Sequence, residues 1–229
     1  GDTENDNIGI GYVALGGTIA GGEYNVAIGN YALETLTSGD TNVAVGYQAG
    51  ADINSGEANT LVGTQAGQSL TTPAHNTIVG YVAGGALTTG ATNTVIGSTA
   101  LDGCDTESNN LAIGFASLGG AVAGGEYNVA IGNYTLDAVT TADYNTAVGY
   151  DAGTNLAASD GQNTFMGYQA GTVPTTGGYN TIIGAQCDTS ANDTANAIVI
   201  GQAIATVSNR VAIGKSGGLI YADFNSSAT

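Results

Sequence analysis

The chain has 229 residues, of which 19 are acidic and only 2 basic, Arg210 and Lys215, for a formal net charge of −17. Residues 1–209 hold no positive side chain, so the surface repels phosphate backbones and anionic membranes, which argues against nucleic acid as a partner and against membrane insertion. Its 38 glycines beside 2 prolines show no Gly-X-Y period, which excludes collagen and leaves glycine at fixed turn phases.

In chain order, residues 1–6 are a polar, acidic lead-in, and periodic coils begin at Asn7. The recurring stretch is Asn-x-x-(Ile/Val)-Gly, as at Asn25-Val26-Ala27-Ile28-Gly29. Its closing glycines are Gly11, Gly29, Gly46, Gly63, Gly80, Gly97, Gly114, Gly132, Gly149, Gly167, Gly184, Gly201 and Gly214, spaced by 17 or 18 residues until a final interval of 13. Asparagine stands four residues before eleven of these thirteen glycines, Ala197 and Arg210 being the exceptions, and Ile, Val or Met always stands one residue before. Each unit is too short to bury its own apolar face, so the coils must stack. We expect about thirteen 17-residue coils over residues 7–217, in two similar blocks at about 8–110 and 111–214.

Within a coil, β-branched and small residues such as Val43-Ala44-Val45 and Thr77-Ile78-Val79 predict a short strand. Beyond the glycine, a variable residue is followed two positions later by Ala (Ala32, Ala49, Ala66, Ala83), and this alternation predicts a second short extended piece. Segments such as Thr37–Thr41 and Thr88–Thr92 are turns, and no window keeps helical apolar spacing. Residues Ala20–Tyr31 and Ala123–Tyr134 are identical, AGGEYNVAIGNY at an offset of 103 residues, which points to a shaft lengthened by copying. Residues 218–229 fit no coil and form a terminal cap or a transition to a further domain. No signal peptide or membrane span is visible, and the start just before a coil is expected of a segment of a longer chain.

Stacking sets equivalent residues about 4.8 Å apart. Asn25, Asn42, Asn59, Asn76, Asn93, Asn110, Asn128, Asn145, Asn163 and Asn180 then form a ladder of amides, a structural role rather than a binding one. The few aliphatics of one coil hardly offset the ordering of seventeen residues, which favours a core shared between chains.

The pattern Asn-(Val/Thr)-Ala-(Ile/Val)-Gly followed by Tyr-x-Ala, as at Asn145-Thr146-Ala147-Val148-Gly149-Tyr150-Asp151-Ala152, resembles the head repeats of trimeric autotransporter adhesins and the related shaft repeats of bacteriophage tail fibres. The resemblance spans about Asn7 to Gly214, with a period longer than the usual adhesin-head repeat. It implies an all-β parallel β-solenoid or β-roll in a homotrimeric fibre, exposed outside a cell or on a virion. The expected function is structural and adhesive, with cell-surface glycans or a host receptor as candidate partners.

Glu23, Asp40, Glu57, Glu126 and Asp143 stand six residues before their glycines and are candidate oxygen ligands for Ca²⁺, the alternative being solvated turns. The Asp2, Glu4, Asp6 alternation is a weaker candidate. No catalytic residue or cofactor site emerges: His75 is the single histidine, no serine has a histidine partner placed by motif, and no phosphate-binding loop occurs. Cys104 and Cys187, seven and three residues after their glycines, suit neither a metal site nor a disulfide framework. The recurrent tyrosines are packing residues or an outward stripe for sugars. Two other functions compete with the fibre segment: a subunit of a self-assembling filament, and an ice- or crystal-surface binder using Thr60, Thr77 and Thr94, a row interrupted by Val43 and Leu111.

Overall fold

The structure, a computed structural model, describes residues 6–120, 125–157, 161–173 and 176–223. Asp2, Glu4 and the end of the chain from Phe224 lie outside the described residues. The chain is an all-β parallel β-solenoid. Its strands are β1 (Ile8–Ile10), β2 (Val26–Ile28), β3 (Val43–Val45), β4 (Thr60–Val62), β5 (Thr77–Val79), β6 (Thr94–Ile96), β7 (Leu111–Ile113), β8 (Val129–Ile131), β9 (Thr146–Val148), β10 (Thr164–Met166), β11 (Thr181–Ile183), β12 (Asp188–Thr189), β13 (Ile198–Gln202), β14 (Ala205–Thr206), β15 (Arg210–Lys215) and β16 (Gly218–Asp223).

One 14-stranded sheet takes one strand from each of thirteen coils, all parallel and in register, and ends with β16 antiparallel to β15. The terminal segment is thus a hairpin cap, at least as far as Asp223. It is fastened by the ion pair between Arg210 and Asp223 at 2.5 Å, with the Arg210 guanidinium over the Tyr221 ring.

Taking the asparagine as position 0, strand positions 1 and 3 face outwards and position 2 inwards. Ala27, Leu61, Ile78, Val95 and Phe165 at position 2 are fully buried. The alanines three residues after the glycine and the aliphatics seven after it (Leu36, Ile53, Leu70, Leu87, Val139, Leu156) complete the core. Both cysteines occupy core slots: Cys104 replaces the aliphatic and Cys187 the alanine, and both are free and buried.

The expected second extended piece does not form. Residues two and four after the glycine adopt left-handed backbone, as at Gln48 (φ 56°) and Leu33 (φ 48°), and a third left-handed residue precedes each asparagine, as at Tyr24 (φ 58°). These corners turn the chain back before a strand can extend. Their backbone amides are held by adjacent coils: Gln48 N–H donates to Asn30 O at 3.0 Å and Thr41 N–H to Glu23 O at 2.9 Å in the preceding coil, whereas Leu33 N–H donates to Ala49 O at 3.1 Å in the following one. Among the described residues, only β12 and β14 pair outside the main sheet.

The glycine at position 4 has two causes. Gly29 has φ 136°, and a Cβ there would lie 2.3 Å from the Gly46 carbonyl oxygen one coil on. Neither the dihedral nor the distance admits a side chain.

Candidate interaction face

The asparagine ladder is built as its residue type requires. Asn76 Nδ2 donates to Asn59 Oδ1 at 3.2 Å and to Gly90 O at 2.9 Å, while its Oδ1 accepts from Asn93 N at 2.9 Å and Asn93 Nδ2 at 3.2 Å. Both donors and both acceptor sites of a buried amide are used, a balance a carboxylate could not reach. The same chain of bonds runs from Asn25 to Asn180, whose Oδ1 accepts from Ala197 N. At Asn110, Asn128 and Asn180 the Nδ2 bond goes to a carbonyl alone, and all ten side chains are buried inside the fold.

Of the five candidate Ca²⁺ ligands, Asp40 and Asp143 each accept a backbone bond across coils. Asp40 Oδ1 accepts from Glu23 N and Asp143 Oδ1 from Glu126 N, each at 2.8 Å, so the aspartates fasten the equivalent turn of the preceding coil. Ser108 and Ser208 do the same to Ala91 N and Ala195 N, which sequence spacing did not disclose. Among the described residues no three His, Cys, Asp or Glu side chains gather as a metal-holding group. Glu107 is buried at a phase where six other coils place Gly, and its carboxylate accepts from Asp105 N and Thr106 N at 2.7 and 2.8 Å. His75 occupies an exposed left-handed corner, φ 63°.

Two rows of aromatic rings run along the axis. Where the residue after the glycine is Tyr or Phe it stands in the row itself; where it is Asn30 or Asn133, the next residue, Tyr31 or Tyr134, fills the gap edge-on to its neighbours. Tyr12, Tyr31 and Tyr47 form one such run, and Phe115, Tyr134, Tyr150 and Tyr168 another, with centroids 5.3 to 5.9 Å apart. Tyr127 and Tyr144, before their asparagines, stack at 5.0 Å with an interplanar angle of 6°. Four of these pairs are edge-on and two, Tyr127–Tyr144 and Tyr150–Tyr168, are stacked, so ring faces are engaged within the rows, which suits packing better than a sugar platform.

Between these rows lies the outer face of the sheet. Position 3 holds Ile, Val or Met in all thirteen coils, and position 1 holds an aliphatic or Thr. Thr60, Thr77 and Thr94 are in register, and so is a second triad, Thr146, Thr164 and Thr181, which the first had overshadowed in the sequence. At position 3 six of the thirteen side chains are exposed, Ile96 by 40% and Met166 by 45%, and the other seven are half-buried.

Acid is segregated from this face, and the two basic residues, Arg210 and Lys215, both fall on it in the last coil. From the residue before the asparagine to the residue after the glycine, thirteen coils together contain one acid, Asp6; the other 18 lie elsewhere. Apolar outward residues in a strip this poor in acid can meet another surface while desolvating few carboxylates.

Among the described residues there is no ligand-sized pocket, and no helix is long and apolar enough to cross a membrane. Comparison with family models, curated proteins and solved structures found no match.

Proposed function

We propose that this chain is a rigid segment of a homotrimeric extracellular or virion fibre, whose work is structural and adhesive: it presents or supports contacts with a surface. The observation that supports this reading is the outward column of Ile, Val and Met at position 3, present in all thirteen coils of a molecule of charge −17. Copies approaching by any other side would oppose carboxylates, whereas along this strip they would bury aliphatic side chains. The outward loops, rich in Thr, Asp and Gly, remain free to touch a glycan or protein receptor. No catalytic step is assigned.

A filament built by end-to-end stacking meets an obstacle at β16, where an antiparallel strand and the end of the asparagine ladder break the register. The second threonine triad adds to the crystal-surface reading, which would use the same strip in a single chain. Electron microscopy separates these alternatives. A fibre segment appears as discrete rods about 60 Å long, thirteen coils at about 4.8 Å each. Continuous filaments would overturn it.

A further inference from the structure

We propose that Tyr127 and Tyr144 are an oxidative modification site, at which a peroxide-driven one-electron oxidant forms a dityrosine link that staples neighbouring coils. The two phenols stand one coil apart, each immediately before its asparagine, and their rings lie parallel with centroids at 5.0 Å and an interplanar angle of 6°. Their backbones explain the match. Tyr127 has φ 57° and Tyr144 φ 58°, and Tyr144 N–H donates to Glu126 O at 3.1 Å, so two like left-handed corners are locked in register. Rings related by one step along the axis bring their like carbons side by side, the ortho carbons included. The other ring contacts among the described residues do not meet this condition: four are edge-on, between 78° and 90°, and Tyr150–Tyr168 is wider at 5.8 Å.

Both residues are open to a reagent, Tyr127 by 47% and Tyr144 by 56%. Each phenol gives one electron to the oxidant and its hydroxyl proton to water, leaving two phenoxyl radicals. Their odd electrons pair in one carbon–carbon bond between ortho positions, and the hydrogens displaced from those ring carbons pass through solvent to the two oxygens. The net release is two electrons and two protons, with which one hydrogen peroxide is reduced to two waters by way of a peroxidase. A radical whose partner is held beside it couples within the molecule in preference to another chain. The link ties residues one 17-residue coil step apart and so restrains the unfolded chain. It needs no partner copy and stands apart from the trimeric reading. The copied block supplies a comparison: Tyr24 is the counterpart of Tyr127 within the identical twelve residues, but the coil after it carries Thr41 where the later block carries Tyr144.

The full chain, dilute, is treated with a peroxidase and hydrogen peroxide and read by dityrosine fluorescence and by mass spectrometry of its peptides. The wild-type chain is expected to yield a linked Tyr127–Tyr144 peptide pair lighter by two hydrogens, and to run as a single chain on denaturing gels. Tyr144→Phe keeps the ring but has no phenol to oxidise, and is expected to lower the fluorescence at least about fivefold. Thr41→Tyr is expected to add a link to Tyr24, because that corner has the same backbone: Thr41 has φ 57° and its N–H donates to Glu23 O at 2.9 Å. Circular dichroism establishes that each variant is folded. The oxidised wild-type chain should melt at a higher temperature than oxidised Tyr144→Phe, and equal melting overturns the staple. Fluorescence unchanged by Tyr144→Phe overturns the proposal, as do links that chiefly join different chains, or a folded Thr41→Tyr that gains no link.

Discussion

Phe165 fills the space that a side chain at Gly171 would need: a Cβ there would lie 2.2 Å from Phe165 Cδ1, and one at Gly153 would lie 2.6 Å from Phe165 Cδ2. The same complementarity sets Leu61 over Gly50 and Gly67. A large inward residue on one strand is thus matched by glycine four residues after the repeat glycine, in its own coil and the coil before. We expect Gly171→Ala, which also meets φ 69°, to cost at least about 1–3 kcal/mol. Phe165→Ala leaves a cavity and is expected to cost about 3–5 kcal/mol. In denaturant unfolding the double variant should lose less than the sum of the two, because the clash is gone.

Asn76 tests the ladder. Asn76→Ala strands Asn93 N and the Gly90 carbonyl, and a loss of about 2–4 kcal/mol in unfolding free energy is expected from several buried groups left unpaired. Asn76→Asp is expected to be worse at neutral pH, since a carboxylate would face Asn59 Oδ1 and Gly90 O. Burial raises the folded pKa of such a group, so the variant should gain stability as pH falls towards the ordinary aspartate value of about 3.9. Thermal melts of the two variants between neutral and acid pH check the order and its pH dependence.

Much of the fold was legible because each repeated residue answers one physical demand. The asparagine spacing disclosed the ladder, and the β-branched run before each glycine disclosed the strand. The second extended piece was misjudged because left-handed backbone at Gln48, Val82 or Thr99 leaves no mark in residue type. The match of Phe165 with Gly153 and Gly171 was hidden, since it joins neighbouring coils at different phases. The face itself was half visible: the invariant aliphatic was plain, but that its side chain points away from the solenoid's own core needed coordinates. Acid spacing alone could not tell a Ca²⁺ ligand from the aspartate that caps the preceding turn, because both need oxygens one coil apart.

Acidification is expected not to destabilise the chain in the mildly acid range. Burial raises the carboxyls of Asp102 and Asp137 above the usual range, against an opposing backbone hydrogen bond at Asp102 and the Thr154 hydroxyl at Asp137. A raised folded pKa means that the folded state binds more protons, so the penalty is present at neutral pH and is relieved as pH falls through the folded pKa. The melting temperature at pH 5 should equal or exceed that at pH 7, and Asp137→Asn should flatten the difference. A steep fall at pH 5 would contradict this.

The two thiols should be inert in the native state. Burial pushes both up, and at Cys104 the carboxylates of Glu107 and Asp102 push further in the same direction. Thiolate is the reacting form, so a chromogenic disulfide reagent should label neither at pH 8 until denaturant is added, when both should react. Rapid labelling of the folded chain would show that the coils open locally at these slots.

The central claim is that the acid-poor strip holds copies of this chain together. Native mass spectrometry of the wild-type chain over a wide concentration range is the most direct measurement. A homotrimer predicts a species of three times 22.4 kDa, about 67 kDa, that persists on dilution and is strengthened by salt as the repulsion between acidic surfaces is screened. A 22.4 kDa monomer at every concentration and ionic strength would contradict it.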